Sequence, residues 1–277
     1  MRQDDPMKIH RVYWLLVLVT AVLTALVVAA SIGANRIEVV RYDLRATTDF
    51  QPIRLVQISD LHLKAFGPNE QGLVAKVVGH KPDVVVLSGD AIDRADALPL
   101  LQSFVKSFAP VPVLLVPGNW EHWSGVDFID LQKVLSGSGA KLLLNDRWLF
   151  SRHNRNLQII GLDDFTAGQP DLKLLDTEAS SKNELIVVVQ HSPAFFDNLA
   201  VTNRMTKQRF NLCMAGHTHG GQFALGAWAP LRPAGSGRFV AGFYDVTGCN
   251  LFVSRGAGTS VLPMRLGAKA EVIVFDL

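Results

Sequence analysis

The sequence predicts an α/β protein with two facing mixed β-sheets flanked by helices, preceded by one N-terminal transmembrane helix. Three observations predict it. Short, nearly continuous apolar runs alternate with stretches of helical periodicity, as buried parallel or mixed sheets require. Five of those runs end in Asp, Asn or His, where ligands collect in such sheets. Finally, Val12 to Ala34 carries no charge at all.

That uncharged stretch of 23 residues is mostly Val, Leu and Ala, with Arg2, Lys8 and Arg11 before it and Arg36 after it. A bilayer-spanning helix needs about 20 apolar residues, whereas the apolar part of a secretion signal has about 7–15. Tyr13 and Trp14 stand where an aromatic belt belongs. The reading is an uncleaved, single-pass anchor over 12–34 behind a short segment 1–11; a long cleaved signal, with small residues at Ala29-Ala30-Ser31, is the alternative. Arg36, Arg41, Arg45 and Arg54 balance the upstream basic residues, so charge counting leaves the orientation open.

Residues 35–52 are polar and weakly alternating, which suits a linker or an edge strand. The catalytic domain is then expected over 53–277. Ile53 to Ser59 reads as a strand ending at Asp60-Leu61-His62. Leu73, Val74, Val77 and Val78 space a helix over Asn69–His80, closed by Lys81-Pro82. Val84–Leu87 ends in Ser88-Gly89-Asp90, and a helix over Ala95–Phe108 leads to the strand Val111–Val116, which ends in Gly118-Asn119. Val126–Leu135 reads as a helix and Lys141–Leu144 as a strand. Trp148–Phe150 and Leu157–Ile160 flank a polar turn as a hairpin, and a loop follows to about Ser181. Leu185–Val189 ends in Gln190-His191, a short helix spans Ala194–Leu199, and Leu212–Ala215 leads into Gly216-His217-Thr218-His219-Gly220-Gly221-Gln222. Further strands are expected at Phe239-Val240, Leu251–Val253 and Val272–Phe275.

Composition narrows the function. With 48% hydrophobic residues and a mean hydropathy of +0.21, the chain is no disordered polymer. A net charge of +2, without a basic cluster interleaved with aromatics, disfavours nucleic acid as partner. Cys213 and Cys249 are the only cysteines, too few for a disulfide framework or a zinc ribbon, though a single bridge stays open.

Asp60, His62, Asp90, Asn119, His191, His217 and His219 together offer nitrogen and oxygen ligands with no thiolate. Such a set suits one or two divalent ions such as Mn, Fe, Zn or Co. On an extended strand, His217 and His219 would leave the same face and aim at one spot. Asp93 and Asp163-Asp164 read as turn or outer-shell residues and Glu121 as a loop brace. Arg232, Arg238, Arg255 and Arg265 could grip phosphate, and Trp120, Trp123, Phe165, Phe223 and Trp228 could line an apolar approach.

In order, Asp60-Leu61-His62, Gly89-Asp90 to Asp93, Gly118-Asn119, His191 and Gly216 to His219 resemble the motif blocks of the calcineurin-like metallophosphoesterases. The resemblance covers Ile53 to the C-terminus. The extended GHTHGGQ, the membrane-proximal start and the ending from Arg265-Leu266-Gly267-Ala268 to Glu271-Val272 are similar to the YaeI/YkuE-type bacterial branch, which includes enzymes proposed to cleave UDP-2,3-diacylglucosamine in lipid A synthesis. The resemblance implies a four-layer fold, a place at the bacterial inner membrane and a phosphorylated small-molecule or lipid substrate. It also implies two divalent ions, one held by Asp60, His62 and His219, the other by Asn119, His191 and His217, with Asp90 bridging. Asp90 and Asn119 are then catalytic. The family commonly follows Gly-Asn with a histidine that contacts phosphate; here Trp120 stands there, and His122, two residues on, is the remaining candidate proton donor.

Overall fold

The computed structural model describes residues 6–34, 36–45, 51–177, 183–207, 209–224 and 228–277. Residues 1–5 of the expected N-terminal segment, 35 and 46–50 of the expected linker, and the end of the loop expected to reach Ser181 lie outside the described residues.

The helices are α1 (Pro6–Ala34), α2 (Pro68–Gly79), α3 (Leu98–Lys106), α4 (Asn119–Trp123), α5 (Phe128–Ser136) and α6 (Leu199–Met205). The strands are β1 (Glu38–Asp43), β2 (Arg54–Ile58), β3 (Val84–Ser88), β4 (Val113–Val116), β5 (Ala140–Leu142), β6 (Asp146–Arg152), β7 (Arg155–Gly161), β8 (Glu184–Val189), β9 (Leu212–Ala215), β10 (Gly242–Val246), β11 (Cys249–Val253) and β12 (Glu271–Asp276). They form two mixed six-stranded sheets, ordered β1-β12-β2-β3-β4-β5 and β10-β11-β9-β8-β7-β6.

The apolar runs are buried on both faces, with alternate residues serving different cores. Leu55, Val84, Val86 and Leu114 of the first sheet meet Ile159, Val187, Met214 and Phe252 of the second in the layer between them. Their neighbours Val56, Val85 and Leu87 pack outward on Leu73, Val77, Leu101 and Phe104 of the helices. On the other side, Ile186, Val188 and Leu251 cover Phe195, Phe196, Val201 and Met205. Helix, sheet, sheet and helix therefore stack as four layers, which places the carboxyl ends of β2, β3, β4, β8 and β9 around one cleft.

Three sequence expectations change. The globular unit begins before Ile53, because β1 pairs in parallel with β12 as the edge of the first sheet. Val39 packs towards the helices and Val40 and Tyr42 towards the layer between the sheets, so weak alternation was enough to dock the segment expected as a linker or edge strand. Phe239-Val240 is not a strand: Tyr244 Oη accepts from Val240 N at 2.9 Å, and Thr218 Oγ1 donates to Val240 O, so side chains take up its backbone. The strand there is β10, starting at Gly242. Finally, the helix expected over 194–199 is a 3-10 segment, Pro193–Asp197, followed by α6.

A disulfide joins Cys213 of β9 to Cys249 of β11. Helix α1 exposes its large apolar side chains from Tyr13 to Val28, and Tyr13–Ser31 is long and apolar enough to cross a membrane. Its end is docked: Arg265 N donates to Ala30 O at 2.9 Å, and a Cβ on Gly33 would lie 2.6 Å from the Arg265 carbonyl oxygen.

Candidate metal centre

All seven expected ligands are buried at those strand ends. Asp60, His62 and His219 bring ligand atoms to one point, and Asp90, His191 and His217 to another. Asn119 joins the second group through Oδ1, 2.8 Å from His217 Nδ1. The groups are contiguous: Asp90 Oδ2 lies 3.0 Å from His191 Nε2 and 3.8 Å from His62 Nε2, and Asp60 Oδ1 lies 3.5 Å from His219 Nε2 and 4.0 Å from His191 Nε2.

The backbone makes this crowding feasible. Asp60, His62, Asp90, His217 and His219 all have φ between 45° and 70°, a region that costs non-glycine residues on the order of 1 kcal/mol or more each and that clusters at functional sites. Interlocking loops hold them there: Asp60 N donates to Gly89 O, His62 N to Asp90 O, and His217 N to both Asp60 carboxylate oxygens at 2.9 and 3.1 Å. Glycine at two strand ends is obligatory. A Cβ on Gly89 would sit 2.2 Å from His191 Nδ1, and one on Gly118 2.4 Å from Asp90 Oδ1.

The tautomers show that a cation fits. His62 Nδ1 donates to Asp93, His191 Nδ1 to Ser88 O at 2.8 Å and His217 Nε2 to Ala234 O at 2.6 Å. Each contact fixes one N–H and turns the other nitrogen's lone pair inward, the usual outer-shell arrangement of a metal-ligating histidine. His191 Nε2 is buried and, despite its nearness to Asp90, makes no hydrogen bond. With its hydrogen on Nε2, His217 presents Nδ1 to Asn119 Oδ1 as acceptor against acceptor, a contact that a cation relieves. His219 differs: Arg265 Nη2 faces its Nδ1 at 3.3 Å, and its Nε2 is 3.2 Å from His62 Nε2.

Charge divides the imidazoles. Burial opposes protonation of His62 and His191, but Asp93, Asp90 and Asp60 outweigh it at the first, and Asp90 and Asp60 at the second, so both pKa values are raised. Burial, together with the charge on His191, lowers His217; burial, with His62 and Arg265 adding to it, lowers His219 to about 3. The latter two are already neutral, as metal coordination requires, whereas His62 and His191 would give up their extra proton to a bound cation.

The residues expected to support the ligands sit around them. Glu121 accepts from the backbone N–H groups of Gly118, Asp90, Ala91 and Ile92, bracing two strand ends at once. Burial and the Asp90 charge raise its pKa. Asp93 orients His62, and Asp164 accepts from Ser192 Oγ at 2.6 Å, beside His191. Trp120 N donates to Asp90 Oδ1 at 2.8 Å, and its ring stands edge-on to His62, centroids 5.8 Å apart. His122 joins neither ligand group: Nε2 lies 2.7 Å from Asp163 Oδ1, and the ring packs on Phe128.

One reading is corrected and another narrowed. The histidine pair does not project from a strand face, because β9 stops at Ala215 and both residues follow in left-handed backbone, sending His217 to one ligand group and His219 to the other. Of the four arginines, Arg238 pairs with Asp197 and Arg255 with Glu271, Arg265 is buried on the carbonyls of Gly258 and Arg255, and exposed Arg232 spends one N–H on Gly237 O. Of the expected aromatic lining, Trp123 and Trp228 are exposed. Of the segment Ser254–Gly258, the sequence singled out Arg255 alone. Its Ala257 and Gly258 N–H groups donate to Ser59 O and Asp60 O, and its only signal was a run of small residues after β11.

Residues 53–221 match the family model described as calcineurin-like phosphoesterase. The chain is 29% identical over 239 residues to the metallophosphoesterase YkuE of Bacillus subtilis, with 82% of this chain and 80% of that protein covered. It is 27% identical over 249 residues to the phosphodiesterase YaeI of Escherichia coli, covering 87% and 88%. Among solved structures, TT1561 of Thermus thermophilus superposes with a TM-score of 0.50 at 11% identity, covering 74% of this chain and 90% of that one, a likeness of fold. With a matched model that spans more than half of its length and two buried ligand groups at the expected strand ends, this chain belongs to the calcineurin-like phosphoesterase family and is a metal-dependent phosphoesterase.

Proposed function

We propose that this protein is a membrane-anchored hydrolase of phosphodiester or diphosphate bonds, built around a dinuclear centre. Its substrate is a membrane-borne phosphorylated compound; a lipid-linked nucleotide diphosphate such as UDP-2,3-diacylglucosamine is the type that the motif resemblance implies. The observation that carries the choice of bond is Trp120 beside His62, where the family commonly has histidine.

Asp60, His62 and His219 hold one ion in this reading, and Asn119, His191 and His217 the other, with Asp90 shared. Two divalent ions there supply Lewis acidity to a phosphoryl group and acidify a water. The chain's own contribution is positional. Asp93, Ser88 O and Ala234 O fix three imidazoles, the Trp120 N–H holds Asp90, and Glu121 keeps two strand ends together. An indole offers only a weakly acidic N–H and cannot protonate a leaving oxygen. Such a proton is typically worth about 10²–10⁴-fold, so a leaving group that is stable without it, such as a nucleotide phosphate or an aryloxide, suits this centre better than an alkoxide.

The phosphomonoesterase alternative draws on one observation, the His122–Asp163 pair, whose hydrogen bond raises the pKa of an imidazole on α4. Manganese-dependent turnover of a bis-aryl phosphate against a mono-aryl phosphate separates the readings. Preference for the diester is expected, and preference for the monoester overturns the proposal. Asp90→Asn is expected to lose both bound metal and turnover; wild-type values for both would sink the dinuclear reading.

A further inference from the structure

We propose that the cleft between the end of α1 and helix α2 is a groove for the apolar tail of an amphiphilic phosphoester, drawn from the bilayer with its phosphate directed to the metal centre. This rests on the membrane and phosphoesterase readings above and adds the route by which the substrate arrives.

The groove encloses about 390 Å³ and runs from Ala34, the last residue of α1, to His62. That volume falls within the range of about 300–1,000 Å³ usual for small-molecule pockets. One end is therefore continuous with the apolar helix and the other reaches a candidate metal ligand. Ile37, Leu63, Leu73 and Pro263 form the apolar parts of its wall, and Lys64, Asn69, Glu70, Lys76 and Thr259 the polar parts.

Its charges are mixed, two lysines and Glu70 in the lining with Asp93 beside Lys64. Lys64 and Lys76 flank it, donating to the carbonyls of Thr259 and Ser260 and of Ile37, which leaves their charge uncancelled by those contacts. Asp93 lies 3.8 Å from Lys64 and is engaged by His62, while Glu70 is turned back onto Gly67 N.

The rim supplies an independent observation. Val261 and Leu262 are 77% and 47% exposed on the loop that leads to Pro263. That loop is tied to α1 through Arg265 N and Ala30 O, and to the metal-site segment through Gln222 Nε2, which donates to Leu262 O and Met264 O. Exposed aliphatic residues fixed beside the end of a spanning helix belong in an interfacial layer, and they set the groove mouth where a lipid diffusing in the bilayer meets it.

Gly72 gives the test. It lines the groove from α2, and a Cβ there meets nothing within 4 Å, so a larger side chain at the groove wall displaces no part of the core. The full chain in lipid nanodiscs is irradiated with a dodecyl phosphonate carrying a terminal diazirine, and adducts are mapped by mass spectrometry. Adducts within 61–76 and 257–263, kept in Gly72→Ala and lost in Gly72→Trp, are expected. Adducts confined to α1, or groove adducts untouched by Gly72→Trp, overturn the proposal. Turnover of a bis-aryl phosphate in the same nanodiscs reads the phosphoesterase reading separately: turnover with an unlabelled groove sinks the groove alone, and groove adducts without turnover support the groove while sinking the catalytic reading.

Discussion

His62 is held by Asp93 on one nitrogen so that the other faces the ligand group, and this division of labour recurs at His191 and His217. Outer-shell partners of this kind are typically worth about 10–100-fold in metal affinity, so Asp93→Ala is expected to weaken metal binding by that factor, as measured by chelator competition. The seven candidate ligands were legible because each follows an apolar run and several are marked by glycine. Their tautomers were not, since Ser88 O and Ala234 O are backbone atoms that no motif names. His122 shows the opposite limit. Its spacing suggested catalysis, and its ring turned to Asp163, a partner 41 residues away that spacing cannot reveal. That pair has a pH signature. Hydrogen bonding to Asp163 raises His122 above 6.5, so its stabilisation is full below 6.5 and is lost as pH rises through the folded value. Despite burial, the bond from His122 lowers Asp163 below 3.8, so its share is present above 3.8 and is lost as pH falls through the folded value. The pair supports the fold best between about pH 4 and 6.5, and His122→Gln is expected to flatten the decline of Tm above that window.

Strand ends are the elements that build the site, and Glu121 couples two of them. Its carboxylate accepts four N–H groups from the turns after β3 and β4. Glu121→Gln turns an amide NH₂ towards some of those donors, leaving buried N–H groups unpaired at a cost of about 1–3 kcal/mol. A lower Tm with metal binding impaired is expected, and an unchanged Tm would show that the brace is dispensable. The strands themselves were largely legible, because burial on both faces leaves a continuous apolar run that needs no alternation. Legibility failed where backbone partners replaced patterning. Phe239-Val240 is apolar, yet its N–H and C=O go to Tyr244 and Thr218. For 35–52 the pattern left a linker or an edge strand open, and pairing with β12, more than 200 residues away, makes β1 the edge strand.

At the scale of the molecule, α1 and the catalytic domain share one junction, Ala30 and Gly33 against Arg265. A bulky residue at Gly33 has no room there, so Gly33→Leu is expected to loosen the junction while leaving the two sheets folded. Faster proteolysis between α1 and β1, with unchanged near-ultraviolet circular dichroism of the domain, checks this. The composition of α1 announced the helix, but nothing in it announced the docking, which depends on a loop near the other end of the chain.

The bond between Cys213 and Cys249 carries a consequence for geography. Paired thiols persist where the surroundings oxidise them and are rare in a reducing cytosol. We infer from this bond that the domain faces an oxidising compartment, the orientation that counting basic residues left open. Alkaline phosphatase fused after Leu277 is then expected to be active in intact cells, and Cys213 and Cys249 to resist alkylation until reduced.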